Sequence, residues 1–108
     1  MANKRALVVD DSPSARDVFG MMLESLHFDV ELASSGEAAL KRLQAGPKID
    51  LLLLDFRLGG MDGLSAIREL QRRALPKPAV VMATAYGDDH LHQLALKTGV
   101  DVFLHKPL

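Results

Sequence analysis

The chain has 108 residues, of which 48% are apolar and 25% charged, with a formal net charge of −1 and no cysteine. That length suits one domain with a single core. Near-neutrality removes any general electrostatic drive toward nucleic acid or anionic lipid, and the lack of thiols excludes disulfides and cysteine-ligated zinc. No apolar run approaches the roughly 20 residues of a membrane helix, and Met1–Arg5 leads into a short strand without a signal-peptide apolar stretch. The expectation is a cytoplasmic protein that makes no nucleic-acid or membrane contact through this domain.

In chain order, Ala6–Val9 is an unbroken apolar run, hence a strand, and it ends in Asp10-Asp11. Ser12 followed by Pro13 reads as an N-cap with proline at the first helical position. Ala15, Val18, Phe19, Met22 and Leu26 then recur at helical spacing. Asp29–Ala33 alternates polar and apolar residues, the pattern of a strand with one wet face. Ser34 with Glu37 has the spacing of a capping box, opening a helix that runs through Leu40 and Leu43 to Gly46-Pro47. Leu51–Leu54 is a third strand and ends in Asp55. Past Gly59-Gly60, Asp62 caps a helix with Leu64, Ile67 and Leu70 inside, which ends before Pro76. Ala79–Ala83 is the fourth strand. Asp88 opens a helix with Leu91, Leu94, Ala95 and Thr98 on one face, Gly99 stops it, and Val100–Leu104 is the fifth strand.

Strands alternating with single helices imply right-handed crossovers and an α/β doubly wound, five-stranded parallel sheet. The unbroken runs belong at its centre, covered on both faces, and the alternating second strand at an edge. Such sheets carry their sites at the carboxyl ends of the strands. One face has only the first helix available to it, because the chain stops four residues after Leu104, where a final helix should fold back. A fragment of a longer protein is the favoured reading; a second copy covering that face, as in a homodimer, is the alternative.

Three strand ends and one loop deliver chemistry to that edge: Asp10 and Asp11, Asp55, Thr84, and Lys106. Three carboxylates need a compensating charge, which one lysine and a divalent cation provide. Oxygen-only ligands suit Mg²⁺. A carboxylate nucleophile can accept a phosphoryl group as a mixed anhydride, and Asp55 is the candidate. Lys106 and the cation would then neutralise the phosphoryl oxygens, with Thr84 donating a hydrogen bond to one of them.

The strings Val8-Val9-Asp10-Asp11-Ser12, Leu53-Leu54-Asp55, Met61-Asp62-Gly63, Ala83-Thr84-Ala85 and Phe103-Leu104-His105-Lys106-Pro107 resemble, in order and spacing, the response-regulator receiver family. The resemblance implies a flavodoxin-like, CheY-like sheet of order 2-1-3-4-5 and a phosphoacceptor module rather than an enzyme. It implies that Asp55 is phosphorylated from a phosphohistidine on a histidine kinase or histidine phosphotransfer domain. It further implies that Asp10, Asp11, Asp55 and the backbone carbonyl of Arg57 hold Mg²⁺, that Lys106 pairs with the phosphoryl group, and that the Lys106–Pro107 bond is cis. Thr84 and Phe103 would form the switch pair. The runs Ala83–Gly87 and Gly99–Leu104 look most like receivers of hybrid sensor kinases, which points to a phosphorelay.

Two departures from the family pattern stand out. Gly59 occupies the position where the family usually has proline, so a more mobile loop is expected. Arg57 and Tyr86 occupy positions that tune dephosphorylation, and their size is expected to slow self-hydrolysis. His27, His90, His92 and His105 show no metal-ligand spacing and read as solvated. Arg68, Arg72, Arg73 and Lys77 cluster near the end of the third helix, as a wet face or a docking patch.

Three other readings compete. A haloacid-dehalogenase-type phosphatase wants an aspartate where Arg57 stands. An FMN-binding module wants a hydroxyl- and glycine-rich loop where Asp10-Asp11-Ser12-Pro13 stands. A pseudo-receiver, acting only as an interaction surface, has no need of the intact Asp10, Asp11, Asp55, Thr84 and Lys106.

Overall fold

The computed structural model describes residues 3–85 and 87–106. Its elements alternate without exception: β1 Arg5–Val9, α1 Pro13–Ser25, β2 Asp29–Ala33, α2 Gly36–Gln44, β3 Leu51–Leu54, α3 Gly63–Arg72, β4 Ala79–Thr84, α4 Asp89–Thr98 and β5 Val102–His105. All neighbouring strands pair in parallel, in the order β2-β1-β3-β4-β5. This is the expected doubly wound sheet with β2 at an edge, and the apolar runs of β1, β3 and β4 lie at its centre.

The two-residue period of the strands divides the core. Leu7, Val9, Leu52, Leu54, Val80, Met82 and Phe103 point to one face, where Ala39, Leu64, Ile67 and Ala95 bring α2, α3 and α4 against them. Ala6, Val8, Leu53 and Ala83 point to the other, where Phe19 and Leu23 of α1 cover them. Burying each large side chain of this kind contributes about 1.5–3 kcal/mol.

Among the described residues α1 is alone on its face, and this corrects the expected stripe of that helix. Phe19, Gly20 and Leu23 are buried, whereas Val18, Met22 and Leu26 are exposed. Helical period identifies a face, but only the part of it over β1 and β3 has something to pack against. Val102 and Leu104 of β5 are exposed on the same side of the sheet. Val18, Met22, Phe19 and Ala85 line a groove of about 550 Å³ there, with Lys106 at its end.

Several boundaries also differ from the sequence reading: β1 begins at Arg5, β4 ends at Thr84 and β5 ends at His105, each one residue beyond the expected run. The N-cap of α2 is Ser35, not Ser34: Ser35 is extended and its hydroxyl accepts from Ala38 N. Glu37 is then one position too early to complete a capping box, and its Oε1 accepts from Met61 N at 3.3 Å instead. β5 begins at Val102 rather than Val100, because Val100 N still donates to Ala95 O and closes the end of α4 around Gly99 (φ 125°).

Asp101 joins that turn to β4. Its backbone N donates to Val80 O at 2.9 Å, while its carboxylate accepts from Val80 N at 2.7 Å and from Lys77 Nζ at 3.3 Å. The Val80 hydrogen bond, aided by Lys77 against a smaller effect of burial, holds the Asp101 carboxyl below its ordinary value. A carboxyl lowered on folding contributes stability above its unfolded pKa, about 3.9, and that contribution is lost as pH falls through the lower folded value. Asp101→Asn keeps an oxygen acceptor and removes the titration. Its denaturation midpoint should therefore fall less steeply than the parent's below about pH 4; parallel acid limbs in urea titrations would show that Asp101 contributes nothing there.

Candidate functional site

β1, β3 and β4 end side by side, and β5 ends beside β4. Asp10 and Asp55 each occupy the first position past a central strand. Asp10 N donates to Ala33 O at 3.2 Å and Asp55 N to Val9 O at 3.1 Å, so the sheet pairing carries one step beyond the strands and fixes both backbones. The two carboxylates are buried, with 2% and 8% of each residue exposed. Every oxygen of the pair is engaged. Asp10 Oδ1 accepts from Ser12 N at 3.0 Å, a local turn that aspartate favours, and Asp55 Oδ1 accepts from Arg57 N at 3.2 Å.

The remaining two oxygens share one ammonium. Lys106 Nζ lies 2.6 Å from Asp10 Oδ2 and 2.8 Å from Asp55 Oδ2. Lys106 N donates to Thr84 O at 2.8 Å, which anchors the base of the side chain, and Nζ sits 5.6 Å above the centre of the Phe19 ring, within cation–π range. Burial alone would lower the lysine pKa; the hydrogen bonds and charges of Asp10 and Asp55 together outweigh it and hold the pKa above its ordinary value. Lys106 is therefore charged, and the local sum is two carboxylates against one ammonium. A desolvated site with one net negative charge favours a further cation. Its donors are all oxygen, a set that suits Mg²⁺ and not a soft metal.

Asp11 departs from the expected convergence. It is exposed, and among the described residues no three His, Asp, Glu or Cys side chains form a metal-holding group. The turn that folds Ser12 N back onto Asp10 buries one acid of the pair and leaves the next at the surface. The expected charge of −3 inside the site is thus −2 before the lysine.

Thr84 ends β4, fully buried. By strand alternation it faces the side occupied by Met82 and Phe103. Phe103 is buried between two histidines: His92 stacks on it with centroids 4.9 Å apart and planes at 15°, and His105 meets it edge-on at 5.2 Å. His92 is therefore part of a ring cluster and not simply solvated, a contact that spacing rules for metal ligands do not test. Gly87 leaves room for this cluster, since a Cβ there would lie 3.0 Å from Phe103 Cζ.

The loop after Asp55 is anchored by buried Leu58 and turns through Gly59 (φ 28°) and Gly60 (φ 83°). Proline, with φ near −65°, cannot occupy the Gly59 conformation. The Arg57 side chain is exposed. Tyr86 and Pro107, with the cis bond expected at Lys106–Pro107, lie outside the described residues. The basic cluster near the end of α3 is largely paired: Arg72 and Arg73 both donate to Glu69, holding its carboxyl at about 2, and Lys77, beyond the helix, pairs with Asp101.

Sequence reasoning missed two supports of the site. Gly63, at the start of α3, donates from its N to Phe56 O at 2.7 Å, and a Cβ on it would lie 2.5 Å from Asp55 O. Arg16, in the first turns of α1, donates from Nη1 to Asp10 O at 2.7 Å. The motif Met61-Asp62-Gly63 marked the first without its reason; nothing in the spacing marked the second.

The response regulator receiver domain family matches residues 6–108. The chain is similar to the cyclic di-GMP phosphodiesterase response regulator RpfG of Xanthomonas campestris, 38% identical over 94% of this chain and 28% of that protein. It is also similar to the alkaline phosphatase synthesis transcriptional regulatory protein PhoP of Bacillus subtilis, 37% identical over 97% of this chain and 43% of that protein. The chain thus spans less than half the length of these curated relatives. Among solved structures, the signal receiver domain of a Luxo repressor protein from Vibrio parahaemolyticus superposes with a TM-score of 0.90 at 26% identity, covering 98% of this chain and 80% of that one. A Burkholderia pseudomallei response regulator crystallised with a phosphorylated aspartic acid, calcium ion and citrate gives 0.86 at 30% identity, covering 98% and 61%.

Proposed function

This chain belongs to the response regulator receiver family, and we propose that Asp55 accepts the phosphoryl group, with Lys106 as the residue that follows its charge. Receiver domains are phosphoacceptor signalling modules of two-component systems, not enzymes in their own right, and they take phosphoryl groups from histidine kinases. The observation that carries the assignment to Asp55 is the bridging of its buried Oδ2 and that of Asp10 by one ammonium.

In the transfer, an Asp55 carboxylate oxygen attacks the phosphorus, the O–P bond forms as the P–N bond of the donor phosphohistidine breaks, and the imidazole leaves. Lys106 is already within reach of the oxygen that becomes esterified, so it can pass from carboxylate to phosphoryl oxygen without leaving the site. Asp10 keeps its orientation through Ser12 N. Asp10, Asp11, Asp55 and the Arg57 carbonyl would hold Mg²⁺, whose chemistry is to neutralise phosphoryl oxygens during transfer. That the Burkholderia response regulator was crystallised with a phosphorylated aspartic acid and a calcium ion supports this reading.

The same reading makes Thr84 and Phe103 the switch. The Thr84 hydroxyl turns to a phosphoryl oxygen, and the Phe103 ring follows it. The Lys106 bond is exchanged and not gained, so the bias comes from Thr84: one charge-assisted hydrogen bond of about 1.5–3 kcal/mol is enough to shift a two-state equilibrium by about tenfold or more. A histidine kinase or a histidine phosphotransfer domain would be the donor. The relatives described above are response regulators, so an output domain in the same protein fits this chain at least as well as a hybrid kinase.

Incubation with Mg²⁺ and acetyl phosphate should add the mass of one phosphoryl group to the parent and none to Asp55→Asn. Equal adducts on both would move the site elsewhere; none on either would favour the interaction-only pseudo-receiver. Arg57 and Tyr86 are proposed to screen the acyl phosphate from water. Arg57→Ala should then lose its phosphoryl group faster than the parent in a timed decay, and an unchanged lifetime would remove that role.

A further inference from the structure

We propose that Arg16 is a positioning residue for the acidic pair, holding the Asp10–Asp11 peptide in the one orientation from which both carboxylates serve a divalent cation. This rests on the cation site of the preceding section and adds a residue to it. Asp10 is tied at four points: its N to Ala33 O, Oδ1 to Ser12 N, Oδ2 to Lys106 Nζ, and its carbonyl to Arg16 Nη1. The first and third hold Asp10 itself. The other two act on the peptide that leads out of it: the Ser12 N turn spans it, and Arg16 grips its carbonyl oxygen directly. The plane of that peptide sets where the Asp11 side chain begins.

That control matters because Asp11 has none of the burial that fixes Asp10. Arg16 is well placed for it. Its own N donates to Ser12 O at 3.0 Å, so its backbone belongs to the first turn of α1, which the Ser12 hydroxyl and Pro13 hold in place. The helix thus reaches back through a guanidinium to the loop that precedes it. Half-buried, the guanidinium gives its Nη1 hydrogen bond to a main-chain oxygen and not to either carboxylate.

The sign of the effect separates this role from plain electrostatics. A cation beside the acidic pair repels a second cation, so by Coulomb's law alone removing Arg16 would tighten Mg²⁺ binding. Loss of an outer-shell orienting contact weakens metal affinity, commonly by about 10-fold or more. The test is calorimetric titration of the full chain with MgCl₂ at constant ionic strength, on the parent, Arg16→Ala and Arg16→Lys. Expected are a loss of about tenfold for Arg16→Ala and partial recovery for Arg16→Lys, which can still donate one hydrogen bond. In metal-free solution, the Asp11 amide resonance should be sharp in the parent and broadened or shifted in Arg16→Ala, while the amides of β3 and β4 stay in place. Unchanged or tighter Mg²⁺ binding by Arg16→Ala, with an unmoved Asp11 amide, would overturn the inference and leave the cation site standing. A parent that takes up no Mg²⁺ would overturn both.

Discussion

Lys106→Met is expected to lower the stability of the metal-free protein by about 2–3 kcal/mol, near 10 °C in Tm for a domain of this size. Methionine keeps an aliphatic stem beside Phe19 and removes only the ammonium. Asp10 and Asp55 would then share a desolvated site with no counter-charge. Stripping one partner from a buried ion pair commonly costs about 3–5 kcal/mol, and the 19% exposure of the lysine side chain places this case below that range. Two measurements make the cause specific. Millimolar Mg²⁺ should return more stability to Lys106→Met than it adds to the parent, since it meets two uncompensated carboxylates. The double variant Lys106→Met/Asp55→Asn should recover most of the loss, because one of the two repelling charges is gone. A melting curve for Lys106→Met that overlays the parent's would mean the short Lys106 contacts contribute no net stability.

Gly63→Ala should be comparably damaging through sterics alone. The added methyl would lie 2.5 Å from Asp55 O, 2.9 Å from Met82 Cε and 3.2 Å from Phe56 Cα. Met82 can shift its end, but the Asp55 and Phe56 backbones cannot withdraw without releasing the 2.7 Å bond from Gly63 N to Phe56 O. Overpacking of this kind costs about 1–3 kcal/mol, and a clash with main chain belongs at the upper end. The gain in helix propensity from glycine to alanine, at most about 1 kcal/mol, does not offset it. Urea denaturation should therefore show a clearly lower midpoint, by about 2 kcal/mol in net stability; an unmoved midpoint would show that α3 can slide away from the loop at no cost. Since the methyl presses on the peptide of Asp55 itself, the phosphorylation rate should fall with it.

These two positions differ in how much of their role can be read from residues alone. Lys106 was legible with Asp10, Asp55 and Thr84, because apolar runs reveal central strands and the topology of a parallel sheet brings their ends together. Gly63 was legible only as part of a motif, since its reason is a backbone 55–56 residues into the chain approaching a helix start. Other differences have equally local causes. Two adjacent serines precede α2, and which one caps it depends on the extended backbone at Ser35, not on the spacing to Glu37. Asp10 and Asp11 count alike in a sum of charges, yet one turn buries the first and exposes the second. Periodicity placed Val18 and Met22 on the face of α1 that turns toward the sheet, but says nothing of whether a neighbour lies beyond it. For His92, the stacking partner Phe103 is on another element, and only the folded chain brings the two rings together.

The ammonium that completes the site comes from far along the chain: Lys106 and Asp10 are 96 residues apart. Long-range closure of this kind is slow to form, because the loop entropy is lost before the contact is made. Protein synthesis imposes an order as well. At about 5–20 residues per second, Asp10 is added to the chain on the order of 5–20 s before Lys106. Once β3 has emerged, β1, β2 and β3 can collapse, but until Lys106 follows the two acids at their ends face each other without their counter-ion. The acidic site is thus completed late, and a nascent chain short of Lys106 holds its two acids together only with help from solution cations.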